Sequence, residues 1–252
     1  MKLLGVVAIC VGFGAASPAH AAPDWAANVA TAKAWAAKRQ GTVAFAVIDD
    51  HGRERGSGMR RHWFSASLLK PVLMTTYLRQ PSVRGRPLRL DERKLLSPMI
   101  RASEDEPANH FVVTLGPRKI EAFARRDAGL RSFHLESPWG SSTITPLGYA
   151  RFMRRITTLT PPRHRAYART LLRTIVARQR WGVGRVRPAG WKLMFKDGWR
   201  AGSHGGRMVN QGALLERGNR HVTLTILTDG DPTHAYGTRT VEGVARRLLR
   251  GM

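Results

Sequence analysis

Strand-like patterns in this sequence are confined to two regions near its ends, and this separation limits the folds available to it. The first region is the β-branched and aromatic run TVAFAVID, residues 42–49, followed by the turn DDHG and a polar segment that ends at Met59. The second contains GWKLMFKDG, RMVNQGALLE and HVTLTILTD, the last of these preceded by the turn RGNR. Such runs, bounded by turn residues, predict strands. One antiparallel sheet must therefore be assembled from both ends of the chain.

Helical patterns fill the rest of the chain. Asp24 is placed to cap a helix in which Trp25, Val29 and Ala32 share a face. A last helix is predicted over 238–250. Between the two strand regions, apolar residues recur at three- and four-residue spacing in SPMIRASEDEPANHFVVTL, RKIEAFARRDA, TPLGYARFMRRITTL and RHRAYARTLLRTIVARQ. The middle of the chain is therefore predicted to be a helical insert.

This order of elements predicts an α/β + all-α fold, with an antiparallel sheet flanked by terminal helices and a helical second lobe. The α/β lobe is predicted to contain residues 22–65 and 185–252, and the all-α lobe residues 66–184. The two lobes form one domain. A cleft between lobes is a natural position for a functional site.

The first 21 residues, MKLLGVVAICVGFGAASPAHA, have the layout of a cleaved secretory signal. Lys2 is followed by an apolar run from Leu3 to Ala16, and the small residues Ala19 and Ala21 lie near its end. The run is too short and too rich in glycine to span a bilayer well, although an uncleaved anchor is the alternative. We therefore predict a secreted protein, periplasmic or associated with the cell wall after cleavage, without a stable membrane span.

The cysteine count and the net charge limit the reactive groups of this protein and the partners that it can bind. Cys10 is the only cysteine and lies in the predicted signal, so the mature chain would have neither a disulfide nor a thiol nucleophile. The formal net charge of +25 favours polyanions, which outside the membrane are cell-wall polymers and lipid head groups. The basic residues are spread along the chain without interleaved aromatics, so no nucleic acid is predicted. An arginine bias that serves mainly solubility is the alternative explanation.

Metal and cofactor motifs are not found. His110, His134 and His204 lack a ligand spacing such as H-E-x-x-H. RWGVGRV is a poor match to a dinucleotide fingerprint and follows a helical pattern instead of a strand. We predict no cofactor and no metal. Three tryptophans of the later chain are interpreted as packing residues instead of a ligand cage: Trp139, Trp191 and Trp199.

The stretch FSASLLKP places Ser67 three residues before Lys70. This spacing puts both side chains on one face of a helix, where a lysine of depressed pKa could take the proton of the serine. Acyl transfer also needs two N–H groups aimed at the oxyanion. Ser67 at a helix start can supply one, and Trp199, just past KDG on a predicted edge strand, would supply the other. A capping serine beside an exposed lysine is the alternative.

Two further motifs follow in order, with Ser103 in ASEDEPAN and Lys196 in FKDGW. Together the three resemble the S-x-x-K, S-D-N and K-T-G motifs of class A β-lactamases and penicillin-binding peptidases, over essentially the whole mature chain. HAYGTRTVEGVARRLL also looks like exported actinobacterial serine hydrolases related to these lactamases. The resemblance implies a β-lactamase/transpeptidase-like fold, Ser67 as nucleophile and Lys70 as its base. Ser103 would pass a proton to the leaving nitrogen, and Lys196 would hold a substrate carboxylate while supporting Ser103 electrostatically.

The second and third motifs differ from the family pattern. Asp105 stands where the family has asparagine, and an ionised carboxylate cannot donate to a substrate carbonyl. It would instead pair with Lys70 and favour the charged form of that lysine. Asp197 replaces the threonine of the third motif, whose hydroxyl helps to bind a carboxylate, and would add a negative charge beside Lys196. The predicted substrate-binding residues are Asp105, Lys196, Asp197, Gly198 and Trp199.

The loop FHLESPWGSS lacks the E-x-x-L-N sequence with which class A enzymes activate the deacylating water. Glu136 is its only acid, and we predict it as the deacylating base, with a surface or structural acid as the alternative. Without such a base an acyl-enzyme would persist, as it does in penicillin-binding proteins.

The sequence thus predicts an exported serine hydrolase that acts through acyl-Ser67 on a β-lactam or a related amide or ester, with poor deacylation. One alternative is a penicillin-binding or peptidoglycan peptidase-like enzyme with a peptidoglycan-derived substrate. Another is a non-catalytic basic protein that binds an anionic cell-wall polymer. The oligomeric state is left open.

Overall fold

The computed structural model describes residues 23–203 and 205–252, so the predicted signal sequence and His204 lie outside the described residues. A five-stranded antiparallel sheet has the strand order β2-β1-β7-β6-β5. As predicted, its strands come from both ends of the chain, and β5 is an edge strand. Their bounds are β1 Thr42–Ile48, β2 Glu54–Ser57, β5 Lys192–Ala201, β6 Arg207–Arg217 and β7 Arg220–Asp231. Two short strands, β3 Trp63–Phe64 and β4 Thr143–Ile144, pair separately.

The helices begin and end the chain and fill its middle. Asp24 caps α1 as predicted, because its side chain accepts from the amide of Ala27. The last helix starts one turn earlier than predicted, since the Thr233 side chain caps it by accepting from the Tyr236 amide. The bounds are α1 Trp25–Ala37, α2 Leu69–Leu78, α3 Pro81–Arg84, α4 Leu90–Arg101, α5 Asp105–Ala122, α6 Pro146–Leu159, α7 Arg165–Arg173, α8 Val183–Val186 and α9 His234–Leu248.

Alternating residues of β6 face different helices. Gly212 lies against the ring of Tyr149 on α6, whereas its neighbour Gln211 accepts from the amide of Val183 on α8. Helices α1 and α9 pack together, and α9 packs on β6 and β7. Because side chains alternate across a strand, one face of the sheet is covered by α6 and the other by the terminal helices. This arrangement confirms the predicted fold class; the lobe boundaries at 65/66 and 184/185 stay a prediction.

The spacing of apolar residues in SPMIRASEDEPANHFVVTL predicted one helical segment, but the structure has two helices there. Helix α4 ends at Arg101 and α5 begins at Asp105. A proline ring in a helix clashes with the carbonyl four residues earlier, so Pro107 prevents the helix from running through Ser103. The break places Ser103 in a tight turn, with φ at 62°. Helix α5 is itself kinked at Gly116, where φ is 72° and ψ 157°.

Within the described ranges, no helix is long and apolar enough to cross a membrane.

The contact between β6 and α6 predicts the effect of adding one methyl group. A Cβ at Gly212 would lie 2.2 Å from Cε1 of the fully buried Tyr149. Gly212→Ala should therefore lower the free energy of unfolding by about 1–3 kcal/mol through overpacking, as measured by urea denaturation. The matched control is Gly85→Ala, where no atom lies within 4 Å of the new Cβ. The control should change stability by less than about 0.5 kcal/mol; equal losses in both variants would contradict the packing argument.

Candidate active site

Ser67 lies in a short 3₁₀ turn, Ala66–Leu68, between β3 and α2. The amide of Ser65 donates to the carbonyl of Ser142 at 2.7 Å, which fixes the start of the turn to the loop before α6. Lys70 follows in the first turn of α2, as the S-x-x-K spacing predicts. The Ser67 side chain is half-buried, and no described residue forms a hydrogen bond with its hydroxyl. It is therefore exposed to the cleft without a resident partner.

The Lys70 ammonium group is fully buried and surrounded by acceptors. It donates to the Ser103 carbonyl at 2.5 Å and to Oδ1 of Asp105 at 2.6 Å, with a longer contact of 3.3 Å to the Ser103 hydroxyl. The Trp139 ring centroid lies 5.2 Å from Nζ. The predicted pairing of Asp105 with Lys70 is present in the structure. Nζ is engaged with these acceptors instead of with Ser67.

Burial lowers the pKa of Lys70, and the hydrogen bond and charge of Asp105 oppose this shift. From sequence, Asp105 was expected to keep Lys70 in its charged form. The desolvation of a completely buried ammonium is the larger effect, however, so the net pKa falls. The lysine is thus closer to a neutral amine than a surface lysine is.

Lys196, on β5, also forms a hydrogen bond with Ser103. Its Nζ donates to Oγ of Ser103 at 2.9 Å and to the Asp197 carbonyl at 3.0 Å. The side chain is 0% exposed, and burial lowers the pKa of Lys196. The contact with Ser103 agrees with the predicted electrostatic support of that residue. A fully buried Nζ does not lie on the open cleft surface, where a substrate carboxylate would have to be held.

Asp197 is not at the cleft. It follows Lys196 on the strand, so its side chain points to the opposite face of the sheet, where Gln211 donates to its Oδ1 at 2.7 Å. It is 0% exposed, and burial raises the pKa of its carboxyl group. Asp197 was predicted to bind substrate, but its side chain does not reach the cleft, because period-two alternation turns it to the other face of the sheet.

The end of β5 passes directly beside the serine turn. A Cβ at Gly198 would lie 3.0 Å from the Ser67 nitrogen and 3.1 Å from the Ser65 carbonyl oxygen. A side chain at this position would require the two backbone segments to move apart by a few tenths of an ångström. Trp199, the next residue, is 39% exposed and lines the cleft.

The cleft has a volume of about 540 Å³ and brings together residues from four segments. Ser67, Asp105 and Trp199 were predicted from sequence. Glu136 is exposed and does not line this cleft. The cleft is lined by Ala66, Ser67, Asp105, Glu106, Asn109, Pro138, Trp139, Gly140, Trp199, Arg200 and Ala201.

Several cleft residues were not predicted as functional. Trp139 was interpreted as packing, but its ring lines the cleft and its indole N–H donates to Oδ1 of Asn109 at 2.8 Å. Arg200 donates to the Ser141 hydroxyl at 2.8 Å and is the arginine of the cleft lining. Trp191, by contrast, is fully buried, as a packing residue should be. An aromatic residue beside proline in the short loop was the only sequence signal for Trp139.

Two residues beside the cleft have strained backbone conformations. In the described part of the chain, Ala66 at φ 45° and Ser103 at φ 62° are the non-glycine residues with left-handed backbone. Each such residue costs about 1–3 kcal/mol and persists only where surrounding contacts enforce it. One precedes Ser67 and the other accepts from Lys70, so both are at the cleft. Strained residues often accompany functional sites.

His110 and His134 each contact a neighbouring polar residue. His134 pairs with Glu121 at 2.6 Å, and His110 contacts the Thr114 hydroxyl at 3.3 Å. Over 23–203 and 205–252, no group of three or more His, Cys, Asp or Glu residues is arranged to hold a metal ion.

Solved structures with the same architecture are β-lactamases. The β-lactamase from Sphaerobacter thermophilus matches with a TM-score of 0.77 at 18% identity, covering 90% of this chain and 97% of that one. A β-lactamase from Xanthomonas campestris pv. campestris matches with a TM-score of 0.74 at 18% identity, covering 88% and 96%. An ancestral class A β-lactamase gives a TM-score of 0.74 at 18% identity, covering 89% and 100%.

No protein-family model matches the sequence, and no curated protein matches it either. The likeness is therefore one of structure at low sequence identity. It defines the class of fold: the chain has the β-lactamase-like fold, and its structural neighbours include class A β-lactamases. The fold that the three motifs implied is thereby confirmed.

The Lys70–Asp105 pair predicts a pH-dependent change in stability. Asp105→Asn removes the counter-ion of a buried ammonium, so the unfolding free energy near pH 6 should fall by about 1 kcal/mol, a modest value because the Asp105 side chain is 71% exposed. The folded-state pKa of Lys70 is already below its usual 10.5, and the variant lowers it further. Between the folded-state pKa and 10.5, Lys70 is protonated in the unfolded state and neutral in the folded state, so stability rises with pH. This range is wider in the variant, so the loss of stability relative to the wild type should shrink as the pH rises towards 10.5.

Urea denaturation of the wild type and Asp105→Asn at pH 6 and pH 10 measures this effect. Asp91→Asn is the charge-matched control, since Asp91 is an exposed residue in the first turn of α4. A deficit that is the same size at both pH values would show that the ammonium of Lys70 is not its cause.

Proposed function

We propose that this protein is an exported active-site-serine enzyme that transfers the acyl group of a β-lactam, or of a related amide or ester, to Ser67 and releases it slowly. The observation that carries the proposal is the arrangement around Ser103, where the buried Lys70 and Lys196 ammonium groups both reach one hydroxyl. Ser67 lines the adjoining cleft. The β-lactamase-like fold supports the same chemistry, and the signal-like residues 1–21 support export.

Lys70 activates Ser67 in the proposed mechanism. The lysine must first lose a proton, which its lowered pKa favours. It then accepts the proton of the Ser67 hydroxyl as the oxygen attacks the substrate carbonyl. The N–H groups of Ser67 and Trp199 stabilise the oxyanion, consistent with the close passage of β5 beside Ser67.

Ser103 delivers the proton that the leaving nitrogen needs. Its hydroxyl lies between the two lysines, so a proton accepted by Lys70 can pass through Ser103 to the departing amine. Lys196 holds the hydroxyl at 2.9 Å and offsets negative charge that develops there. The cation of the cleft lining that can bind a substrate carboxylate is the half-buried Arg200, because Lys196 itself is completely buried.

Slow deacylation follows from the acids that line the cleft. Hydrolysis of the acyl-enzyme needs a base that activates water. Asp105 is engaged with Lys70, and Glu106 accepts a hydrogen bond from the Asn109 amide. The exposed Glu136 is not part of the cleft lining. The acyl group should therefore remain on Ser67 for longer than it takes to form. The same observation favours a penicillin-binding or peptidoglycan peptidase-like activity as the second candidate function.

Intact mass spectrometry tests the proposed acyl-enzyme. Incubation with a penicillin should raise the mass of the mature wild-type protein by the mass of the drug, and Ser67→Ala should show no adduct. Ser103→Ala, which removes the proton relay but keeps the nucleophile, should acylate more slowly by about 10²–10⁴-fold. An adduct of equal size on Ser67→Ala would disprove the assignment of the nucleophile.

The decay of the adduct tests slow release. After removal of free drug, the wild-type adduct should decay more slowly than it formed under the conditions of the experiment. Rapid turnover with no accumulated adduct would contradict slow deacylation. If Glu136→Gln then prolonged the adduct at least tenfold, Glu136 would be the deacylating base after all.

The charge of the chain supports a further role for the surface. A formal charge of +25 should hold the protein on anionic cell-wall polymers through screened electrostatics. Retention on isolated cell wall should fall by more than tenfold between 50 mM and 500 mM NaCl, and Ser67→Ala should be retained equally. Retention that is unchanged by salt would exclude electrostatics as its cause, and loss on Ser67→Ala would assign it to acylation.

A further inference from the structure

Resting on the proposed acyl transfer, we propose that the cleft selects acyl donors that carry a primary ammonium group, and that this group binds Asp105 and Glu106 and weakens the ion pair between Asp105 and Lys70. Asp105 and Glu106 are then the residues that determine substrate specificity. The argument starts from the ion pair itself.

The Lys70–Asp105 ion pair is asymmetric. The lysine side chain is 0% exposed, whereas the aspartate side chain is 71% exposed and lines the cleft. Oδ1 of Asp105 accepts from Lys70 at 2.6 Å, and Oδ2 accepts no hydrogen bond from any residue that the structure describes. A cation entering the cleft can therefore reach this carboxylate from the solvent side, which Lys70 does not occupy.

Glu106 adds a second carboxylate to the same wall. Its only polar contact among the described residues is a 3.3 Å hydrogen bond from the Asn109 amide. Arginine and lysine outnumber acids by 42 to 17 in this protein, and acids such as Glu54, Glu92 and Glu216 are paired with arginine. Glu106 has no cationic partner among the described residues, and its carboxylate faces the cleft that contains Ser67.

The aromatic residues of the cleft suit the same ligand. The Trp139 ring lies 5.2 Å from the Lys70 ammonium and is held by its hydrogen bond to Asn109. Trp199 presents a second exposed ring in the lining of the cleft. Aromatic faces attract ammonium groups. Carboxylates and indole rings around one volume therefore define a site for a cation with an adjoining apolar group.

Binding of a substrate ammonium would also change Lys70. A cation on Asp105 competes for the counter-ion of the lysine and adds a like charge nearby. Both effects favour the neutral amine, which is the form that can accept the Ser67 proton. A substrate without the ammonium group leaves the ion pair intact. Selectivity should therefore appear in the rate of acylation as well as in binding.

Benzylpenicillin and ampicillin test this, because they differ by one amino group on the acyl side chain and share the carboxylate. The second-order rate constant of adduct formation is measured for both by intact mass at pH 6.5, where an α-amine is mostly protonated. Wild-type protein should acylate about two- to fivefold faster with ampicillin. Asp105→Asn and Glu106→Gln should each bring the ratio of the two rates towards one, and Asp91→Asn should keep it.

A binding measurement separates this inference from the proposed function. Calorimetric titration of Ser67→Ala with the same two penicillins needs no acylation. If the wild type forms no adduct but Ser67→Ala binds ampicillin more tightly, with the preference lost in Ser67→Ala/Glu106→Gln, ammonium recognition stands and the proposed acyl transfer fails. If acylation occurs with no preference in rate or in binding, the acyl transfer stands and the ammonium site is overturned. The absence of any preference or binding in both experiments overturns it as well.

Discussion

The architecture of the site depends on one hydroxyl group, because two buried lysines donate to Ser103. A buried ammonium is tolerated only when it is hydrogen-bonded and paired. Lys70 comes from α2, Lys196 from the edge strand β5, and Ser103 from the turn between α4 and α5. Moving any of these elements would leave a charge without its acceptor. The contact between the sheet and the helical segments is therefore set by the same interactions that form the candidate catalytic site.

The backbone at this junction is strained and is held from several sides. Ala66 and Ser103 both have positive φ values, which a flexible chain would relax. Asn210 donates to the Phe64 carbonyl at 2.9 Å and ties the serine turn to β6. Pro107 excludes the continuous helix that would relax Ser103. A hydrogen bond from the sheet and a proline thus help to maintain the strain.

The sheet, the terminal helices and the positions of Ser67, Lys70, Ser103 and Lys196 could be predicted because each depends on a local period or a short motif. The direction of the Asp197 side chain is also predictable from sequence, because neighbouring residues on a strand point to opposite faces of the sheet. Trp139 and Arg200 could not be predicted as cleft residues. One lies in an irregular loop and the other at a strand end, and periodicity does not show which distant segment such residues meet.

The aspartate at position 105 has a different consequence in the structure from the one that the motif alone suggests. An amide donor there would hold a substrate carbonyl without altering the charge of Lys70. A carboxylate 2.6 Å from the lysine instead links whatever binds at the cleft wall to the protonation of the base. In a chain that carries 42 basic residues, a substrate cation finds few carboxylates to bind. In the proposed mechanism, the change that weakens recognition of a carbonyl therefore couples the charge of the substrate to the activation of Ser67.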